Sequence, residues 1–374
     1  MEVLTGVMLI LFGGLASASF YVPFKKVREW AWESYWLVGG FFSWIIGPWL
    51  LGLIIVGPDT LIRILQETPA KNLFWAYFFG VLWGVGGLTF GLSVRYLGIG
   101  LGISIALGFC AAFGEIIPVV VAGQFLDMFS NRSGQVVLLG ILTCLVGIGI
   151  NGLAGMFKEK DVTEEQKKEG VKEFNFVKGI SIAVFAGIMS ACMAMGLNMD
   201  ISGVAIAKTA QVLGVKPLWL GLPVLVVVLL GGFTTNFIWC VLLNIRNGTG
   251  RDYISPVTRG AEKKSVPMLA NYFFSAVAGT VWYLQFFFYK MGESKMGTGG
   301  SWIILMASII VLSAIWGVCL KEWKGATKRT TLTLVIGLIV LVGSIAIVGY
   351  GKNIPKPAKT ELPASMSTAV QQPK

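Results

Sequence analysis

The chain is 374 residues long, 55% hydrophobic and 13% charged, with 48 glycines and no histidine; it is too apolar for a water-soluble core and excludes a histidine-based zinc site or a Ser-His-Asp triad. A formal net charge of +11 would suit nucleic acid, but the basic residues are spread over alternate loops between apolar stretches and build no basic face, so nucleic acid is excluded as a partner.

Ten apolar stretches of about twenty residues run from Val3 to Tyr350, the length of helix that spans a hydrocarbon core about 30 Å thick. The predicted fold is therefore an all-α membrane protein with ten transmembrane helices, centred near Leu11, Ile46, Leu82, Ala111, Leu145, Gly187, Leu229, Gly279, Ile310 and Val340. The first stretch reads as a retained helix, because Glu2 stands where a signal peptide is basic and the PFKKV that follows offers no small-residue cleavage site.

Helix 4 holds Glu115 inside ALGFCAAFGEIIPVVVAG, the one carboxylate well within an apolar segment on this reading. A charge in hydrocarbon is costly, so Glu115 is either a proton-coupling site or the structural partner of a base such as Arg95 or Lys290. Arg95 and Lys290 themselves sit at helix ends, where long side chains reach the interface. Helix 5 carries a Gly-x-Gly-x-x-Gly string at Gly147, Gly149 and Gly152, assigned to helix packing because it follows no strand. The charge-dense stretch after it, 156–176, is a connector, and it divides the chain into five-helix halves at 1–155 and 177–350.

Helix 6 repeats helix 1. FAGIMSACM from Phe185 matches FGGLASASF from Phe12 in size and polarity, and an LVG triplet recurs at Gly147 and Gly343. Two halves with an odd number of helices insert with opposite orientation, so the prediction is a 5+5 inverted repeat, the architecture of many secondary transporters. Asp200 and Lys208 after helix 6 read as a surface salt bridge.

Polar uncharged groups in or beside the membrane segments, Asn198, Asn236, Asn271 and Gln285, both donate to and accept from hydroxyls. In helix 8, WYLQFFFY sets Trp282 and Gln285 on one face with Tyr289 a turn on. Sugars take such amides together with aromatic rings, and Trp83, Trp239 and Trp302 are further candidates, although rings of this kind also fill cores and belt interfaces. The five cysteines, Cys110, Cys144, Cys192, Cys240 and Cys319, form no CxxC pair and read as buried small side chains. The tail, 351–374, has nothing to pack against and is expected to be disordered.

Basic residues concentrate after the odd-numbered helices, for example Lys25, Lys26 and Arg28, then Arg246, Arg251 and Arg259. By the positive-inside rule those loops are cytoplasmic and both termini are periplasmic, a reading that the tail lysines oppose. With no Gly-x4-Gly-Lys-Ser/Thr loop for ATP, transport would be ion-coupled, exchange or facilitated. Efflux of a drug-like compound or metabolite, and a membrane enzyme acting on lipid-linked sugar, remain as alternatives, the latter without a paired carboxylate or metal cluster.

FYVPFKKVREWAWESYWLVGG from Phe20, SWIIGPW from Ser43, GLSVRYLGIGLGISIALG from Gly91, WYLQFFFY from Trp282 and LKEW from Leu320 together resemble the bacterial L-rhamnose/proton symporter family of the drug/metabolite transporter superfamily. The resemblance implies a ten-helix inner-membrane protein that imports a 6-deoxyhexose with a proton by alternating access, with no cofactor and with sodium coupling left open. Tyr21, Lys25, Lys26, Arg95, Tyr96, Trp282, Tyr283 and Gln285 match its shared strings. Glu115 and Lys290 are departures from it. The candidate site is thus Glu115 for the proton and Gln285, Trp282, Tyr283, Asn236, Asn271, Trp83 and Tyr21 for the sugar.

Overall fold

A computed structural model describes residues 1–161, 176–258, 263–297, 299–319 and 325–355, and within these the chain is helical apart from turns and one isolated β-bridge, Val257 to Ser265. Most of the connector, all of LKEW and most of the tail lie outside the described residues, as does the side chain of Arg95.

Helix α1 spans Glu2–Ser19 and is followed by the single turn α2, Tyr21–Phe24. The second span, Trp32–Val56, is built from α3 (Trp32–Phe41) and α4 (Gly47–Leu51), each followed by a π-helical turn, Phe42–Ile46 and Gly52–Val56. Pro48 explains the first: it has no N–H for the carbonyl of Trp44, so the helix widens by one residue just before it. The amphipathic α5, Pro58–Glu67, leads to α6, Ala70–Val121.

The sequence places two helices with a loop between them where the backbone forms α6, a single run of 52 helical residues. No proline interrupts it before Pro118, and glycine by itself does not end a helix. The run is nevertheless bent back on itself. Gly86 abuts Ser190 while Phe109 abuts Gly187, one turn away on a neighbouring helix, whereas a straight helix would hold residues 86 and 109 about 35 Å apart. The two apolar arms, Ala70–Phe90 and Ile105–Val121, both pack against that neighbour.

After α7 (Phe125–Ser130) come α8 (Arg132–Asp161), α9 (Phe176–Asn198), α10 (Gly203–Val212), α11 (Gly221–Asn247), α12 (Met268–Met296), α13 (Ser301–Cys319) and α14 (Lys328–Asn353). Eight helical segments among the described residues are long and apolar enough to cross a membrane, and Ile105–Val121 is a shorter apolar one. The 29-residue α12 is not among the eight, because it buries Asn271, Gln285 and Glu293 and also carries Lys290 and Lys295.

Glycine sets the helix contacts. A Cβ on Gly279 of α12 would fall on the Gly39 carbonyl of α3, and one on Gly80 of α6 would fall on the Val228 carbonyl of α11, beside Gly231. Gly14 of α1 admits Ser308 of α13, and Gly187 of α9 admits Phe109 of α6. Backbones that approach this closely gain dispersion contacts, the main attraction between helices where lipid is as apolar as leucine. Gly147 rests on Leu341 of α14, the packing role read for its glycine string, whereas Gly149 has nothing within 4 Å and lines a cavity with Gly152. The Lys208–Asp200 pair forms at 2.9 Å on the surface, as expected. Cys110, Cys144, Cys192 and Cys240 are buried, but Cys319 at the end of α13 is exposed, because its neighbours there are turned outward.

Just beyond the span of α8, Asp161 accepts from Thr330 Oγ1 at 2.6 Å and Thr327 N at 3.0 Å at the start of α14, and these bonds hold its carboxyl below the usual 3.8. A depressed carboxyl stabilises the fold above its unfolded value and loses that contribution as pH falls through the folded one. The melting temperature of Asp161→Asn is therefore expected to lie below wild type near neutral pH and to converge with it below about pH 4. Parallel melting curves at every pH would count against this.

Candidate functional site

The π-turn at Phe42–Ile46 swings Trp44 into the seam between α3 and α12, where it meets Trp282 at 5.6 Å and Trp83 of α6 at 6.1 Å between ring centroids. Trp83 and Trp282 are 5.5 Å apart, and Phe286 closes the group. Trp36, one turn before the π-turn and 6.1 Å from Trp44, donates from Nε1 to Asn236 Oδ1 of α11 at 3.1 Å. Asn236 is then fixed by its own donation to the Gly232 carbonyl at 2.9 Å. Four helices from both halves of the chain thus converge on a cluster of indoles with one amide held at its edge.

Buried polar atoms without partners gather along the same seam. Trp44 Nε1, Ser43 Oγ, Tyr283 Oη and Ser275 Oγ are all enclosed and make no hydrogen bond, and the buried Gln285 amide bonds to no described residue. Leaving such a group unpaired costs roughly 1–3 kcal/mol, so several together are what a site for a hydroxyl-rich ligand looks like when closed and empty of protein partners. A narrow cleft between Phe24, Trp36, Ser43, Trp44 and Trp282 runs beside them. By contrast, a cavity of about 310 Å³ between α6 and α8 is lined only by apolar residues such as Ile105, Phe109 and Leu145 and offers nothing to a sugar hydroxyl.

Of the residues predicted for the sugar, Trp83 and Trp282 meet, Asn236 is tied to them through Trp36, Tyr283 lies against Gly47 beside them, and Gln285 is buried on the same helix with its carbonyl against Gly13 of α1. Asn271 does not join them: its amide is used up by the backbone of Arg28, accepting from N at 3.1 Å and donating to O at 2.8 Å. Tyr21 is half exposed and touches Phe20 and Phe24 at the rim. Trp239 is exposed on the outside of α11, and Trp302 is buried elsewhere, donating to the Cys110 carbonyl at 3.1 Å.

Glu115 is buried and its Oε1 accepts from Gly300 N, where the left-handed Gly297 and Gly300 turn the chain into α13. Its other oxygen, Oε2, has no hydrogen-bond partner. Of the two structural partners read from the sequence, Arg95 has its side chain outside the described residues, and Lys290 does not hold. Lys290 is not snorkelling and not bound to Glu115; it forms an ion pair with Glu293, with side chains 13% and 5% exposed. Glu293 is a second buried carboxylate, overlooked because it lies near the end of its apolar stretch. The signal was present in the spacing: Tyr289, Lys290 and Glu293 fall at i, i+1 and i+4, which puts both partners within reach of the carboxylate on one helix.

A polar network ties the halves together at the end of the bundle that carries Arg28 and Arg251. Glu33 Oε1 accepts from Asn247 Nδ2 at 3.0 Å and Thr249 Oγ1 at 2.7 Å, and Asp252 Oδ2 accepts from Ala31 N and Ser34 Oγ, both at 2.9 Å. Together with Asn271 on Arg28, these bonds latch residues 28–34 onto 244–271.

The molecule is thus a multi-pass helical membrane protein with polar groups buried between α3, α6, α11 and α12, the make-up of a solute carrier. The family model of the L-rhamnose-proton symport protein (RhaT) matches residues 1–354, and the chain belongs to that family. It is 36% identical over 351 residues to the L-rhamnose-proton symporter of Shigella dysenteriae serotype 1, covering 92% of this chain and 97% of that protein. The symporter of Klebsiella pneumoniae subsp. pneumoniae is 35% identical over 353 residues, with the same shares covered.

Proposed function

We propose that this chain imports L-rhamnose, or a closely related 6-deoxyhexose, with a proton by alternating access across the bacterial inner membrane, without enzymatic chemistry. The sugar and the ion come from the names of its relatives. The observation that carries the reading to this chain is the set of buried, unpartnered donors and acceptors beside edge-packed indoles in a seam between the halves. Trp83, Trp282 and Trp44 would face the C–H side of the ring, and Gln285, Tyr283 and Asn236 its hydroxyls, while Glu115 takes part in proton exchange.

The architecture we infer is ten crossings in two inverted halves, 1–155 and 177–350, joined by 156–176. Two sequence registers support it together. Aligning Phe12 with Phe185 pairs Gly14 with Gly187, which touch α13 and the second arm of α6; aligning the GGF triplets at Gly39 and Gly231 pairs contacts with α12 and the first arm of α6. Each contact between halves thus recurs with the halves exchanged, as a pseudo-twofold axis requires. With the basic loops inside, the Glu33–Asp252 latch is a closed cytoplasmic gate and Glu115 lies toward the periplasm.

Purified protein in liposomes tests this. Labelled rhamnose is expected to accumulate when the outside is made acidic, and accumulation that follows a sodium gradient instead would overturn proton coupling. Gln285→Ala should raise the KM for rhamnose about tenfold, the loss of one hydroxyl–amide bond worth about 1.4 kcal/mol. Its melting temperature without sugar should fall only by the packing that its buried stem gives up, because the amide bonds to no described residue. An unchanged KM would remove Gln285 from the site.

A further inference from the structure

The turn from α12 into α13 carries three glycines, Gly297, Gly299 and Gly300, and two side chains close on it, Glu115 from α6 and Lys352 from α14. Gly297 and Gly300 hold left-handed conformations, φ 81° and 89°, and Gly300 N donates to Glu115 Oε1. The partly buried Lys352 lies along the same turn: a Cβ on Gly300 would stand 3.7 Å from its Cε, and one on Gly297 would stand 3.7 Å from its Nζ. At Gly299 the two side chains meet, since a Cβ there would stand 3.5 Å from Lys352 Nζ and 3.9 Å from Glu115 Oε1. Neighbouring bonds fix both approaches. Trp302, just past the turn, donates to the Cys110 carbonyl of α6 at 3.1 Å and lies on Gly114, while Ser133 of α8 donates to the Gly351 carbonyl beside Lys352 at 2.8 Å. Among the described residues, the other titratable groups acting on Glu115 are Glu293 and Tyr289 of α12 and Cys144 of α8, none of them a cation, and Glu293 is paired with Lys290. Asp127 of α7 and Arg132 of α8 are exposed, Lys178 of α9 lies over Tyr96, Arg246 of α11 stands at the latch end, and α13 has no charged residue.

A carboxyl buried with no opposite charge keeps its proton, and a carrier whose acid cannot ionise has no proton to release. Glu115 Oε1 faces Gly300 N and the ammonium, while Oε2 is enclosed with no hydrogen-bond partner, which leaves it as the seat for a proton. We propose that Lys352 is the counter-charge that lets Glu115 give up its proton. With the proton gone from Oε2 to water, carboxylate and ammonium offset each other across Gly299; with the proton on, Glu115 no longer offsets the charge of Lys352, which favours the next release. The same oxygen holds the turn into α13, and a carboxylate binds a backbone N–H more strongly than a neutral carboxyl does, so gain and loss of the proton change the hold on that turn. Lys352 is a positioning residue here, acting through Glu115 and not on the sugar.

This rests on the proton-coupled reading above and is tested in the same liposomes. Accumulation of labelled rhamnose under an acidic outside needs the proton released within, whereas counterflow, the exchange of labelled for unlabelled rhamnose without a gradient, proceeds with the proton retained. Lys352→Met keeps the stem over the turn and removes the charge. It is expected to lower the ratio of accumulation to counterflow at least about tenfold and to raise by about one unit or more the pH at which counterflow fades, because Glu115 then holds its proton longer. If Lys352 only packs α14 on the turn, Lys352→Met accumulates sugar with the wild-type pH profile, and the proposal falls. A folded Lys352→Met in which accumulation and counterflow fall together would overturn it as well. Added to Glu115→Gln, which lowers the ratio by itself, Lys352→Met should change neither readout further; a further fall in counterflow would show a task apart from Glu115 and would sink the proposal. That double variant has neither charge of the pair, so it decides the matter if Lys352→Met alone does not elute as a monodisperse protein. Wild-type protein that ignores the pH gradient would overturn the functional reading first, whereas a proton-driven wild type with a proton-driven Lys352→Met would overturn this proposal alone.

Discussion

Gly279→Leu is expected to yield no folded protein, and Gly279→Ala to lower the melting temperature sharply. The position of a Cβ is set by the backbone, so no rotamer can move it out of the Gly39 carbonyl. The helices must separate instead, and α3 and α12 then lose the contacts that hold one half against the other. Forcing a methyl into a packed core costs about 1–3 kcal/mol even where side chains can yield; with backbone on both sides the cost should reach or exceed about 3 kcal/mol. Against a typical stability of about 5–15 kcal/mol that is a large fraction. If the halves are related by an inverted repeat, Gly80→Ala against α11 should lower stability by a similar amount, since it occupies the mirrored contact. Gly343→Ala in α14 is the control: nothing lies within 4 Å of its added methyl, and a helix interior prefers alanine by roughly 0.5–1 kcal/mol. Elution and melting curves of the purified variants decide the matter, and a Gly279→Ala protein that melts with the wild type would dispose of the close-approach argument.

Glu33→Ala is expected to unlatch the opposite end of the bundle. The substitution removes the buried carboxylate to which Asn247 Nδ2 and Thr249 Oγ1 donate, leaving Thr249 its bond to Asn244 Oδ1 at 2.8 Å. Hydrogen bonds to charged groups are worth about 1.5–3 kcal/mol each, and partial replacement by water leaves a net loss of about 2–4 kcal/mol for the latched state. In a carrier poised between two states, each 1.4 kcal/mol shifts their ratio tenfold, so the cytoplasm-open form should gain at least an order of magnitude. Cys240, buried in α11 one turn inside the latch, reports it. Its labelling by a small maleimide, followed by peptide mass spectrometry in a Cys319→Ser background, should accelerate tenfold or more, and the apparent affinity for outside sugar should fall by a comparable factor. Asp252→Ala should act in the same direction by freeing Ser34 and the Ala31 amide. Unchanged labelling in both variants would show that these bonds do not set the resting state.

Spacing alone puts Trp282 and Gln285 on one helix face, and the structure packs Trp282 against Trp44 and Trp83 and buries Gln285 on the same helix. Other residues were misread because a side chain's partner belongs to a distant segment. Asn271 looked free for a ligand, yet it is bound to a backbone 243 residues earlier. Lys290 looked able to snorkel, yet α9 and α11 cover it. One signal was legible and passed over: the GGF triplets at Gly39 and Gly231 mark matching helices and were open to the same comparison that paired Phe12 with Phe185.

The amino-acid sequence alone determined the membrane setting, the helical class and the apolar segments, because each depends on local composition over about twenty residues and on the need of every backbone amide for a partner in hydrocarbon. The family resemblance likewise rested on contiguous strings. Only the tertiary structure decided that α6 runs unbroken through its bend, which buried amides are spoken for, and that Lys290 is paired with Glu293 and not with Glu115. These are questions of which groups meet across the fold, and a buried charge or amide takes its state from the neighbour that packing brings to it, a fact that no local stretch of residues contains.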